Sequence, residues 1–269
     1  MSESVVQLAC DNSIATLTLN SPGTRNAFTE LSIVDALVGA VQRVQADDSV
    51  RVLVVTGAGP VFSSGGNIKH MRDRSGTFEG DAAQVAENYR RGIQRVPLAF
   101  HQLEVPAIAA VNGPAVGAGF DLTLMCDMRI ASTGATFAES FVRVGIIPGD
   151  GGAWLLPRAV GWARACEMAF TGEAIDAQTA LQWGLVSQVV KPDRLMIAAR
   201  ELALRIAANP PRVVRQTKRL MREGQRMELP GLLELSAALQ GAAHQTHDHR
   251  RALEHMLGGG ASPPQFKGD

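Results

Sequence analysis

What the 269-residue chain lacks narrows its possible roles. The three cysteines, Cys10, Cys126 and Cys166, are odd in number and stand at no metal-ligand spacing. No disulfide framework or cysteine-held metal is expected, and the pattern fits reduced cytosolic thiols. Net charge is absent, with 26 basic against 26 acidic residues, so no overall field draws nucleic acid or a membrane surface. No apolar run is long enough to span a bilayer: the longest, 107–125, is broken by Asn112, Pro114 and Asp121. The opening "MSESVVQLACDNS" lacks the basic start and apolar core of a signal peptide. The expectation is a cytoplasmic protein with no metal and no nucleic-acid or membrane partner. Three nucleotide and hydrolase signatures are missing as well. "TGAG" follows an apolar run, but the third glycine of a dinucleotide loop is replaced by Phe62. A Gly-Lys-Ser/Thr phosphate loop and a Gly-x-Ser-x-Gly nucleophile elbow are both absent.

What is present suffices for one large domain with an appendage, since 46% of the residues are hydrophobic. "IATLTLN" at 14–20 alternates as a half-buried strand does, and "SPGTRN" at 21–26 is a turn cluster. Helical spacing begins near Thr29, and "VRVLVVTG" at 50–57 reads as a buried strand. "GAGPVFSSGGNIKHM" reads as a long glycine-rich loop and "QVAENYRRGIQRVPLAFHQLE" as one helix, stopped by Pro106. "AIAAVN" and "MRIAS" read as further strands on either side of "VNGPAVGAGFDLTLMCD". Strand, glycine loop and helix thus recur, which predicts an α/β core over 1–195. Residues 196–269 read as a helical region ending in the tail "GGGASPPQFKGD".

Candidate chemistry lies in the two glycine-rich loops. The first offers backbone N–H groups around Gly65 and Gly66, the second around Gly117 and Ala118. Two N–H groups converging on one oxygen make an oxyanion hole, worth roughly 3–4 kcal/mol per donor in hydrolases. The acids nearby are Asp121, Asp150 in "PGDGGAW" and, less favoured, Glu139. An oxyanion hole beside a carboxylate with no nucleophile points to enolate chemistry. The competing reading makes both loops plain tight turns and the acids helix caps. Other features read more simply. Ser63 and Ser64 are turn formers, and Phe62, Phe137, Phe141 and Trp154 are packing. The basic cluster at 212–222 is the solvated face of an amphipathic helix, as is the segment carrying His244, His247, His249 and His255.

"RNAF" at 25–28, "FSSGGNIKHM", "AVNGPAVGAGFDLTLMCDMRIAS", "GIIPGDGGAWLLPRAVG", "GLVSQVV" and "PPQFKG" occur in order along the chain. Together they resemble the crotonase, or enoyl-CoA hydratase/isomerase, superfamily. The resemblance implies a crotonase-like α/β fold, a spiral of ββα units with a C-terminal helical region that assembles a homotrimer or a hexamer. It implies an acyl-CoA thioester as substrate, coenzyme A being part of that substrate and no separate cofactor being needed. By motif, the thioester oxygen would be held by the N–H groups of Gly66 and Ala118, with Gly65 and Gly117 shaping the loops. Contacts to the CoA substrate would come from Arg25, Ala27, Ser64, Gly65, Ile68, Gly117 and Phe141, and from Phe266 and Lys267 in the tail.

The acids depart from the family pattern. Hydratases carry two glutamates; the first aligns with Asp121 and the second with Phe141. Ring-opening isomerases of the phenylacetate type place an aspartate at the position of Gly149, one residue before Asp150. Asn67 stands where the family usually has an acid, at a position read as structural. Adding water across a double bond needs one group to position the water and another to protonate carbon, whereas moving the bond needs one carboxylate. The sequence therefore favours isomerase-type chemistry on Asp121, with Phe141 making the pocket more apolar and raising that acid. Hydration by Asp121 and Asp150, a hydrolase, and an acyl-CoA binder without turnover are the alternatives.

Overall fold

Buried strands of β-branched residues organise the molecule in the computed structural model, which describes residues 4–258 and 264–269. Residues 1–3 of the opening stretch and 259–263 of the tail lie outside the described residues. The first hairpin joins β1 (Val6–Asp11) to β2 (Ile14–Leu19) through Asn12 and Ser13, both at positive φ, the backbone a tight two-residue hairpin turn requires. After α1 (Leu31–Ala46) come β3 (Val52–Gly57), α2 (Ile68–Asp73), α3 (Ala82–Arg91) and α4 (Arg95–Gln102). The single helix expected from "QVAENYRRGIQRVPLAFHQLE" is broken at Gly92, whose φ of −103° and ψ of −116° are not helical. Pro97 falls in the first turn of α4, where a missing N–H costs no bond.

The central part runs β4 (Ala107–Val111), β5 (Ala115–Val116), α5 (Ala118–Met125), β6 (Met128–Ser132), β7 (Thr136–Ala138), α6 (Gly152–Val160) and α7 (Trp162–Thr171). Then follow β8 (Ala174–Asp176), α8 (Ala177–Gln182) and β9 (Gln188–Val190). One sheet has the order β1-β2-β3-β4-β6-β9, parallel apart from the first hairpin; a second has the order β5-β7-β8. The chain spirals between them. β4, β5 and α5 make one turn and β6, β7 and α6 another. In the turn before them Ser63 takes the strand position, bridging to Ala115 between β3 and α2.

Alternate residues of the continuous apolar strands serve two faces. Leu53 and Val55 join the main core with Leu37, Val41 and Phe100. Val52, Val54, Ile108 and Ile130 pack on Ala198, Ala199 and Ala203 of α9 (Leu195–Ala207). The division read at 195/196 falls after the first residue of α9, a helix that covers the sheet. The helices that leave the sheet are α10 (Pro211–Glu223), α11 (Leu229–His244) and α12 (His247–Gly258).

The basic cluster at 212–222 departs from its reading as a solvated face. Arg215 donates to the carbonyls of Asp47 and Val50, and Lys218 donates to Val105 and pairs with Asp127 at 2.7 Å. Loop carbonyls recruit these cations and dock α10. No helix among the described residues is long and apolar enough to cross a membrane.

Candidate active site

Both glycine loops leave the same edge of the main sheet, the first after β3 and the second after β4. They lie backbone against backbone. A Cβ on Gly65, whose φ is +72°, would stand 2.6 Å from the Val116 carbonyl and 2.7 Å from the Ala118 nitrogen. Only glycine combines that approach with that backbone. Ser63, read as a turn former, ties the loops: its Oγ donates to the Asn26 carbonyl at 2.7 Å and accepts the Gly65 N–H at 3.0 Å. Asn26 completes the bracing. Its buried amide donates to the carbonyls of Ala58, Val61 and Phe62, and its Oδ1 accepts the Ser21 N–H.

The result is two unengaged donors side by side. The N–H groups of Gly66 and Ala118 have no acceptor among the described residues. Gly66 stands in the loop, and Ala118 is the first residue of α5, where the helix supplies no acceptor and its dipole is positive. Both residues line an inner cavity of about 20 Å³, room for one water. Thr29, Met71, Tyr89, Phe141 and Asp150 line it too. Met71, Phe78, Tyr89 and Ile146 lead from this cavity to an outer groove of about 1060 Å³, which Ile68, Arg72, Arg74 and Arg90 also line.

The acids do not fall where the sequence reading put its emphasis. Asp121, on the first turn of α5, is fully buried and absent from the cavity wall. Its Oδ2 accepts the Gly152 N–H at 3.0 Å, at the start of α6. Asp150 is the carboxylate on the wall; it is 3% exposed and its Oδ1 has no partner among the described residues. Glu139, between β7 and the turn carrying Phe141, is buried beside Asp121 with both oxygens unpartnered. Burial raises all three. Asp150 rises to about 6 and Glu139 to about 7, and Asp121 goes well above the usual carboxylate range through burial and then through the charges of Glu139 and Asp150. Burial and the Asp150 charge also push up the Tyr89 phenol.

Of the residues expected to contact CoA, Ile68 lines the outer groove. Arg25, Ala27 and Ser64 line neither the cavity nor the groove; the Ser64 N–H donates to the Arg25 carbonyl. Phe266 and Lys267 do not join the site within one chain. The Arg51 side chain bonds the Phe266 carbonyl beside the start of β3, and Asp248 holds the Lys267 N–H at 2.9 Å. The glycine loops leave the other end of that strand. Asn26 falls in the turn cluster at 21–26 and in "RNAF", and nothing in the sequence pattern marks it as the brace, or Ser63 as the residue that joins the loops.

A pair of backbone donors thus lines one cavity with a buried carboxylate. The sequence pattern described as Enoyl-CoA hydratase/isomerase matches residues 9–267. The chain belongs to the enoyl-CoA hydratase/isomerase family. Among relatives of this family, it is 37% identical to the (E)-benzylidenesuccinyl-CoA hydratase of Thauera aromatica, covering 98% of this chain and 99% of the relative. It is 33% identical to the 1,2-epoxyphenylacetyl-CoA isomerase of Escherichia coli over 96% of each. The solved enoyl-CoA hydratase of Bacillus anthracis superposes with a TM-score of 0.91 at 30% identity, covering 99% of this chain and all of the other. The crotonase-type fold and membership in the enoyl-CoA hydratase/isomerase enzyme family are therefore established. The relatives include both hydratases and isomerases.

Proposed function

We propose that this enoyl-CoA hydratase/isomerase family enzyme moves a double bond in the acyl group of a CoA thioester. The thioester oxygen sits between the N–H groups of Gly66 and Ala118. The Asp150 carboxylate takes a proton from one carbon of the bound acyl group, leaving an enolate on that oxygen, and returns the proton to another carbon. The observation that carries this reading is that the cavity beside both donors has one carboxylate on its wall, Asp150, with Phe141 where hydratases carry a glutamate. One carboxylate suffices for proton transfer between two carbons, whereas hydration asks for two positioned groups. This transfers to Asp150 the acid/base role that the sequence pattern assigned to Asp121.

The outer groove suits the CoA portion, since Arg72, Arg74 and Arg90 on its wall can pair with phosphates. Arg25, Ala27, Ser64 and Ile68 are assigned to the same ligand. The exposed Leu233, Leu253, Met256 and Leu257 on α11 and α12 support assembly of copies into a trimer or hexamer through these helices. Phe266 and Lys267 would then reach a CoA only in that assembly. No cofactor separate from the substrate is required.

Hydration is the second reading, favoured by an inner cavity with room for one water. Mass spectrometry of 2-enoyl- and 3-enoyl-CoA incubated in heavy water separates the two. Migration of the double bond, with deuterium on carbon and no water added, is the expected result, lost in Asp150→Asn. A gain of water mass would replace the isomerase by a hydratase. Tight binding with neither change would overturn both.

A further inference from the structure

Two carboxyl groups behind the cavity wall take no part in the chemistry proposed above, yet they are buried together with almost no donors. Glu139 is 1% exposed, and neither of its oxygens has a partner among the described residues. Asp121 is fully buried and satisfied on one oxygen only, by Gly152. The two side chains meet over the same glycine: a Cβ at position 152 would overlap both Asp121 Oδ1 and Glu139 Oε1. That explains a glycine at the first position of α6, and it brings the two oxygens together. As two carboxylates they would repel at short range in a medium that screens poorly. One proton between them converts the repulsion into a strong O–H···O⁻ bond. The other groups facing the pair are Asp150, from the loop before α6, and beyond it Tyr89 on α3. No Lys, Arg or His side chain forms an ion pair with Asp121, Glu139 or Asp150 among the described residues.

We propose that Glu139 is a positioning residue: it shares one proton with Asp121 across Gly152, and the charge left on the pair makes Asp150 a stronger base. The proton resides mainly on Asp121, which is shielded most completely. Glu139 carries the charge above its value of about 7. That charge opposes ionisation of Asp150, so a proton taken from substrate is held more firmly and the transfer is less uphill. The catalytic part of this inference rests on the assignment of Asp150 as the acid/base group.

Infrared spectroscopy of the resting protein at pH 8 tests the shared proton without any substrate. A protonated-carboxyl band is expected in the wild-type protein, retained in Asp150→Asn and lost in Asp121→Asn. Its absence from the wild type would overturn the proposal, whatever reaction the enzyme performs. Glu139→Gln tests the catalytic part. Its amide can bond to Asp121 but carries no charge, so kcat is expected to fall roughly three- to tenfold with KM unchanged. The acid limb of the pH profile should also become steeper and move to lower pH. A Glu139→Gln enzyme that loses stability but keeps the wild-type pH profile would reduce Glu139 to a structural role. If that variant does not fold, Asp121→Asn decides: it removes the same shared proton, and an unaltered infrared band there refutes the pair.

Discussion

Replacing Asp150 by asparagine should make the protein more stable while removing its activity, and the size of the gain can be worked out. Burial lifts this carboxyl from its ordinary 3.8 to about 6. A carboxyl held above its unfolded value of 3.8 costs nothing well below that value, where both states are protonated, and the cost builds from there. The cost grows as the pH rises through 6 and is complete above it. At pH 8 it amounts to roughly 3 kcal/mol, an order-of-magnitude figure, for a side chain only 3% exposed. An amide in the same place still leaves one polar atom without a partner, at about 1 kcal/mol. The expected net effect of Asp150→Asn is therefore a gain of about 2 kcal/mol at pH 8, turning into a loss of about 0.5 kcal/mol at pH 4. Urea unfolding at both pH values and one fixed protein concentration measures it. In the same variant, turnover should drop by about a hundredfold or more, the usual contribution of a general base. Equal stabilities at pH 8 together with retained turnover would refute the assignment, because an ionised buried group that does no work should be neutralised without loss.

Two further outcomes probe the scaffold. Gly152→Ala places a methyl group against Asp121 Oδ1 and Glu139 Oε1 and 2.9 Å from Asp121 Cγ; overpacking of this kind costs about 1–3 kcal/mol. Thermal unfolding should show that loss, and an unchanged midpoint would mean that the two carboxyls move freely. Asn26→Ala strips the donor from three carbonyls of the first glycine loop, which should cost about 2 kcal/mol or more. It should also loosen the Gly66 donor, so kcat should fall as stability does, and a variant with wild-type kcat would separate the brace from the oxyanion site.

The continuous apolar runs that became β3 and β4 were legible because a strand buried on both faces needs no alternation. The glycine loops were legible because only glycine fits where a Cβ would stand 2.6–2.7 Å from another backbone at positive φ, as at Gly65 against Val116 and Ala118. The ordered motifs carried the family for the same reason: they are the backbone requirements of the spiral, written locally in the chain.

What the tertiary structure alone decided is which acid meets the cavity. Asp121 and Asp150 are both acids close to glycine-rich turns in the sequence, and Glu139 is one acid among many. Their roles separate only when α6 is laid against α5. Gly152 then caps Asp121, Glu139 closes over it, and the preceding loop turns Asp150 onto the wall with Gly66 and Ala118. The positions of Phe266 and of the α10 cations were hidden likewise, since Arg51 and the carbonyls of Asp47, Val50 and Val105 that hold them lie more than a hundred residues away. Local sequence sets the conformation a segment can adopt. The partner a buried charge finds, and therefore its proton, depends on segments distant in the chain, and folding alone brings them together.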